Sequence, residues 1–354
     1  MVRSRTESPV IRLLAFVVVL HVAACAGHST FRVNERATHE EAVRIATGNV
    51  TLAGTLVIPD GSQRHPAVAL FHGSGPQQRD LFTARWFAKH GVAALAYDKR
   101  GVGESTGNFR TVPFMELCGD GLAAIEYLKS RRDIDTKHIG VWGLSQGGWL
   151  GPLAASSSSD VAFVIAVSGP AVSPGEQMIF YYANELRAGG LPESDVQEAS
   201  LMRRDIWNYL ATGNGYESAK SELNEARAKR WYNEVKDQGD HLFEPLPSPA
   251  EISKPDYRYA RWFKQEMNYD PVPALEALHV PALFLFGDED RLVNVNETVA
   301  VLRRVQSQAG NRDFTIHVFR HVGHDMHVTS GENDGVVDPE YLDAMRTWLA
   351  TRIR

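Results

Sequence analysis

Short, almost uninterrupted apolar runs recur along this chain, and each stops abruptly at glycine and polar residues. They are Ala67–Phe71, Val92–Tyr97, the stretch that leads from His138 to Leu144, Val161–Val167 and Val280–Phe286. A run without polar alternation fits a strand buried on both faces, and such strands belong to parallel sheets. Between the runs lie segments with apolar residues at helical spacing, as in Phe114 to Ser130 with Leu117, Leu122, Ile125 and Leu128. Parallel neighbours need a crossover connection, and a helix supplies it. The pattern therefore predicts an α/β fold, with a mostly parallel central sheet covered by helices on both faces. A chain of 354 residues is long enough for one such domain with an insertion, or for two domains.

The alternation stops after Val161–Val167. Residues 171–273 are polar, charged and helix-forming, with scattered aromatics that include Tyr181, Trp207, Trp231 and Trp262. Residues 222–238 read as one amphipathic helix. The whole stretch reads as a helical lid, inserted into a core made of residues 43–170 and 274–354. Its aromatics are available to wall a substrate pocket.

The N-terminus differs in kind. Arg3, Arg5 and Arg12 precede the apolar run Leu13–Leu20, and Val22-Ala23-Ala24-Cys25 follows. A basic start, a short apolar run and small residues before a cut site describe a secretory signal over residues 1–25. The apolar run is too short to span a bilayer. The ending resembles a bacterial lipoprotein signal, which implies lipid on Cys25 and an exported protein, periplasmic or anchored to a membrane. Residues 26–42 read as a polar tether. With Cys25 lipidated, Cys118 has no partner for a disulfide, and its apolar helical surroundings mark it as a buried, inert thiol. The net charge of −6 comes with no basic stripe, which argues against a nucleic-acid partner. A mean hydropathy of −0.26 excludes a multi-span membrane protein.

Chemistry-bearing residues gather where the apolar runs end. Gly143-Leu144-Ser145-Gln146-Gly147 joins a strand to a helix-like run. A serine hydroxyl is a weak nucleophile and must be held out on a sharp turn within reach of a histidine. Glycines two residues to either side let strand and helix close on that turn. The following helix points its first N–H groups at developing negative charge. Downstream, Asp288 and Asp290 follow the run Val280–Phe286, and His324 follows a predicted strand, Phe314–Phe319. Ligands of open α/β sheets bind at this edge, past the C-terminal ends of the strands. His317, His321, His324 and His327 cluster as metal ligands sometimes do, but His317 falls within a strand and no cysteine or glutamate stands among the other three. No metal and no cofactor are expected.

The order serine, acid, histidine resembles that of the α/β-hydrolase superfamily, and the likeness runs over roughly residues 45–354. Gly143–Gly147 is similar to its nucleophile elbow. His72-Gly73-Ser74-Gly75-Pro76, with Arg79-Asp80 beyond, looks like the oxyanion loop of bacterial lidded carboxylesterases and of the serine-aminopeptidase-like group. Gln78 departs from the aspartate often seen there. Asp98-Lys99-Arg100-Gly101-Val102-Gly103-Glu104-Ser105 resembles an Asp-x-Arg-Gly-x-Gly-x-Ser loop, expected to hydrogen-bond itself into a fixed shape. Gly287-Asp288-Glu289-Asp290-Arg291-Leu292-Val293 resembles the acid loop, and that pattern puts the acid at Asp290 and leaves Asp288 in a turn. Gly323-His324 resembles the histidine loop.

The resemblance implies a serine hydrolase. Ser145 attacks an acyl carbonyl, His324 moves the proton, Asp290 orients the imidazole, and the backbone N–H groups of Ser74 and Gln146 hold the oxyanion. The expected partner is a small-molecule carboxylic ester, with short acyl chains preferred. A peptidase or an acyl-thioester hydrolase would use the same triad, and a non-catalytic binding module could keep the same fold.

Overall fold

The computed structural model describes residues 36–236, 245–254, 257, 262–308 and 313–353. The signal segment, Cys25 and the start of the tether lie outside them. One 8-stranded sheet runs in the order β1-β2-β4-β3-β5-β6-β7-β8. Its strands are β1 (Thr38–Thr47), β2 (Val50–Pro59), β3 (His65–Phe71), β4 (Ala93–Tyr97), β5 (Ile134–Leu144), β6 (Phe163–Val167), β7 (Ala282–Gly287) and β8 (Phe314–Phe319). From β4 to β8 every neighbouring pair is parallel, while β1 with β2 and β2 with β4 are antiparallel.

The helices α1 (Leu81–Lys89), α2 (Phe114–Lys129) and α3 (Gln146–Ser157) are crossovers of the first half of the sheet. The insertion holds α4 (Pro174–Ala188), α5 (Glu193–Thr212), α6 (Tyr216–Ala226), α7 (Tyr232–Lys236), α8 (Pro249–Ile252) and a π-helical turn, Trp262–Glu266. Then α9 (Val272–Glu276) leads back to β7, and α10 (Val295–Gln308) and α11 (Pro339–Arg352) complete the chain.

Both faces of the sheet are apolar, as the unbroken runs require. Within β3, Ala67, Ala69 and Phe71 pack with α2, α3 and α10, while Val68 and Leu70 pack with α1 and α11. Successive residues of a strand point to opposite faces, so one run fills two cores.

Two local readings change. Residues 38–42, assigned above to the tether, belong to β1, which pairs with β2 over its whole length. The strand is hard to read because it lies at the sheet edge and its first half is polar. Backbone hydrogen bonds hold it there, helped by Arg131 on Glu41 at 2.6 Å and Arg85 on Glu40 at 2.6 Å. The single helix expected over 222–238 is broken: α6 ends at Ala226 and α7 starts at Tyr232. The turn between them brings Trp231 into the interior, with its indole N–H on the Glu198 carboxylate at 3.0 Å and Lys229 on the same carboxylate at 2.6 Å. Tertiary burial of one indole outweighs local periodicity there.

The insertion has a core of its own. Tyr182, Ile206, Trp207, Tyr209, Trp231 and Phe263 pack together, and Trp207 is 1% exposed. Trp207 therefore supports the insertion from inside. Tyr181 packs partly buried against the same cluster, and the Trp262 side chain is outside those described.

Candidate active site

Ser145 stands between β5 and α3 with φ 54° and ψ −111°, a backbone region that side chains other than glycine rarely occupy. Its surroundings impose the strain. Its N–H donates to the Val167 carbonyl at the end of β6 (2.8 Å), and its carbonyl accepts from Gly148 at 2.7 Å. A Cβ on Gly143 would overlap the Gly147 backbone, and a Cβ on Gly147 would press on the Phe71 carbonyl at 2.7 Å. Glycine at both places lets strand, helix and the end of β3 close on the serine.

Asp290 and His324 leave the neighbouring strands β7 and β8. The Asp290 carboxylate is fully buried, and its Oδ2 accepts from His324 Nδ1 at 2.8 Å. Its Oδ1 accepts the backbone N–H groups of Leu292 (2.8 Å) and Val293 (2.9 Å). With the Asp290 carboxylate as acceptor, the Nδ1–H tautomer fits this bond, and Nε2 is the other ring nitrogen. The His324 side chain keeps 18% exposure, and its backbone carbonyl accepts from the Ser168 hydroxyl at 2.6 Å. Asp288 does different work: its carboxylate accepts the His321 backbone N–H at 2.6 Å and closes the turn. Of the two acids, Asp290 is the one brought to a histidine ring.

The other histidines are engaged apart from one another. His321 pairs with Glu289 at 2.9 Å, His327 bonds the Asp325 carbonyl at 3.0 Å, and His317 stacks on Phe319. Among the described residues, no group of three or more His, Cys, Asp or Glu side chains is arranged to hold a metal ion.

Ser74 sits in the loop after β3 and Gln146 opens α3, beside Ser145 in sequence. A hydrogen-bonded frame holds this corner. His72 Nε2 donates to the Tyr97 carbonyl at 2.6 Å, and the Gly73 N–H donates to the Gln77 side chain at 2.9 Å. Burial pushes the His72 imidazole down to about 4, with nearby Lys99 adding to the effect, so the ring is neutral.

Asp98 accepts from the Arg79 backbone (2.9 Å), twice from its guanidinium (3.0 and 2.6 Å) and from the Glu104 N–H (3.0 Å). Burial alone would raise the Asp98 carboxyl; these donors outweigh it and hold it below its usual range. Gly103, at φ +56°, wraps so closely over Asp98 that a Cβ there would overlap the carboxylate. Arg100 is bidentate on Asp120, at 2.6 and 2.7 Å. The loop is the self-bonded frame that its motif implied. Cys118 is 1% exposed, and burial pushes its thiol up to about 12, the state of an inert side chain.

Four side chains of this region were not singled out from sequence. Ser168 follows β6 and holds the histidine loop. Gln177 and Asn184, on one face of α4, donate to the carbonyls of Leu292 (2.7 Å) and Arg291 (2.9 Å), next to Asp290. Lys99, the second residue of the Asp98–Ser105 loop, donates to the Gly73 carbonyl and the Gln146 side chain, both at 2.8 Å. Their only sequence signals are a serine at a strand end, a polar pair spaced two helical turns apart and a lysine inside a motif.

A model of the alpha/beta hydrolase family matches residues 68–338, most of the chain and all of the site. The chain belongs to the alpha/beta hydrolase family. Among curated proteins, it is 26% identical to the esterase EstD of Thermotoga maritima over 84% of this chain, and spans 65% of that protein's length. It is 32% identical to an uncharacterised 31.7 kDa Escherichia coli protein, over 68% of this chain and 77% of that one. Among solved structures, the Pyrococcus furiosus esterase Pf2001 superposes with a TM-score of 0.56 at 19% identity, over 94% of this chain and 97% of that one. At that identity the likeness is one of fold.

Proposed function

We propose that this protein is a serine hydrolase that cleaves carboxylic esters through an acyl-enzyme, with Ser145, His324 and Asp290 as its triad. The observation that carries the reading is the 2.8 Å bond from His324 Nδ1 to a buried Asp290 carboxylate, at the same sheet edge as a serine on a strained elbow. The esterase name of the Thermotoga maritima relative supports it.

The chemistry follows from the placement of protons. With Nδ1–H committed to Asp290, Nε2 takes the proton of the Ser145 hydroxyl as its oxygen attacks the ester carbon. The carbonyl becomes an oxyanion, met by the N–H groups of Ser74 and Gln146; the latter lies in the first turn of α3, where backbone donors lack helical partners. Collapse expels the alcohol, protonated by the imidazolium. Water, deprotonated by Nε2, then attacks the acyl-enzyme and releases the acid. Asp290 keeps its charge throughout and stabilises the imidazolium, its own position held by two backbone N–H groups.

The insertion, bonded to the acid loop through Gln177 and Asn184, acts as a lid and favours short acyl chains. One methylene is worth only about 1–3 kcal/mol of discrimination, so the preference is graded. The substrate is a small-molecule ester rather than a nucleic acid. The protein is exported and lipidated at Cys25, its one contact with a membrane. Palmitate labelling of wild type against Cys25→Ser tests the last point, and equal labelling of both rejects it.

The decisive experiment is a panel of p-nitrophenyl esters of graded length, aminoacyl anilides and acyl-CoA thioesters, run on wild type and Ser145→Ala. Ester turnover that falls with chain length and vanishes in Ser145→Ala supports the proposal. Higher kcat/KM on anilides or thioesters would replace it with the peptidase or the thioesterase.

A further inference from the structure

Lys99 is the least expected side chain at this edge. Its residue is 3% exposed, yet both of its acceptors, the Gly73 carbonyl and the Gln146 amide oxygen, are neutral. Among the described residues no carboxylate is within ion-pair distance of it. The face of Phe109 lies 5.4 Å from the ammonium. A buried cation without an ionic partner is costly, and nothing in the packing of an α/β core demands one here.

Its two acceptors share one property: they belong to the two loops that carry the proposed oxyanion donors. Gly73 precedes Ser74, and Gln146 follows Ser145. We infer that Lys99 is a positioning residue for the oxyanion hole, its ammonium tying the Gly73–Ser74 peptide to Gln146 and polarising that peptide. The inference rests on the serine-hydrolase reading.

The physical link is the peptide group. In a planar trans peptide the Gly73 carbonyl and the Ser74 N–H point in opposite directions. A cation on the carbonyl oxygen therefore fixes the N–H on the far side. It also draws electron density through the conjugated amide, which strengthens the N–H as a donor. On the other loop, the bond to Oε1 fixes the Gln146 side chain at the start of α3, and with it the residue whose N–H is the second donor. Negative charge on the substrate oxygen is largest in the transition state, so Lys99 acts on kcat more than on substrate binding.

The charge is also open to titration. Burial pushes the Lys99 ammonium down to about 8, while Glu266 from the insertion and Asp120 from α2 hold it up. Of the titratable groups beside it, His72 stays neutral and Asp98 stays ionised. A neutral Lys99 amine still donates hydrogen bonds but no longer polarises. Activity should then fall above pH 8 with the loss of this one proton.

The test uses the full chain and p-nitrophenyl butyrate. Wild type, Ser145→Ala, Lys99→Met and Lys99→Gln are followed for kcat and KM from pH 6 to 10, with circular dichroism to check folding. Lys99→Met is expected to lower kcat about 10- to 100-fold with KM within about threefold, and to lack the alkaline decline of wild type. Lys99→Gln, which keeps a donor without charge, should lose less kcat and also lack the decline. If Lys99→Met does not fold, Lys99→Gln and the wild-type profile carry the test.

A folded variant with wild-type kcat, a loss confined to KM, a decline that survives in the variants, or a wild type with no decline near pH 8 would each overturn the inference, provided Ser145→Ala is inactive. An active Ser145→Ala overturns the serine-hydrolase reading itself, and the role of Lys99 with it.

Discussion

At the C-terminal edge of the sheet, backbone packs against backbone; in the insertion, aromatic rings pack against each other. Among the described residues, every side-chain-bearing residue with positive φ follows a sheet strand: Ser145 after β5, Ser168 after β6, His321 and Met326 after β8. Each such conformation costs roughly 1–3 kcal/mol and persists only where the surroundings over-determine it. In the insertion, positive φ occurs at Gly190, Gly213 and Gly215, where glycine adopts it without strain. The edge thus holds its side chains in fixed, strained positions, supported by close glycine contacts and by bonds such as Ser168 to the His324 carbonyl. Among its described residues the insertion carries no strain of this kind, and it is held by its own rings around Trp207. The comparison teaches that geometry was built into one region and bulk into the other.

Changes that remove chemistry from the edge should have the largest effect. Ser145→Ala is expected to lower kcat by at least about 10⁴-fold with Tm unchanged, since triad members act as a unit. Residual ester turnover near wild type in the folded variant would show that the strained elbow serves something else. Next comes Asp290→Asn against Asp288→Asn. The first changes the partner of His324 Nδ1 and should cost about 10³- to 10⁴-fold in kcat; the second opens a turn and should cost less than about tenfold. Reversed losses would move the acid to Asp288.

The insertion should respond in stability. Trp207→Ala removes a fully buried indole and is expected to cost about 3–5 kcal/mol, with limited proteolysis cutting inside residues 171–273 before the sheet core. Cleavage of the core and the insertion together would mean that the two are a single cooperative unit, and would weaken the contrast.

A smaller effect comes from His72. Its folded value of about 4 lies below the ordinary 6.5, so the unfolded chain binds a proton that the folded one refuses. The stabilisation, roughly 3 kcal/mol, is complete above pH 6.5 and is lost as the pH falls to 4. Tm measured across that window should fall less steeply in His72→Asn than in wild type; equal slopes would remove His72 from the acid sensitivity.

The smallest effect concerns the seam. Gln177→Ala and Asn184→Ala each remove a single hydrogen bond to the acid loop, worth about 1 kcal/mol. Their expected signature is a few-fold change in KM and a flatter acyl-length profile. An unchanged profile would separate the insertion from substrate choice.

The sheet and the reacting residues were legible because their causes are local. A short apolar run that stops at glycine fits a buried strand, and β8 begins and ends where its predicted strand does. Gly-x-Ser-x-Gly encodes its own turn, and a Ser, acid, His order restricts which loops can meet. The polar edge strand β1, the break before Trp231 and the burial of Trp207 were not legible, because each depends on what packs against it from elsewhere in the chain.

The sequence by itself determined the alternation of strand and helix, the serine elbow and the candidate triad, since spacing and side-chain chemistry carry that information along a few residues. Only the tertiary structure decided which aromatics are spent on the insertion's own core, and that the Lys99 ammonium joins the Gly73 loop to Gln146, itself 47 residues away in sequence. Those are distances between segments remote in sequence, and a hydrogen bond or a buried ring is defined by such distances alone.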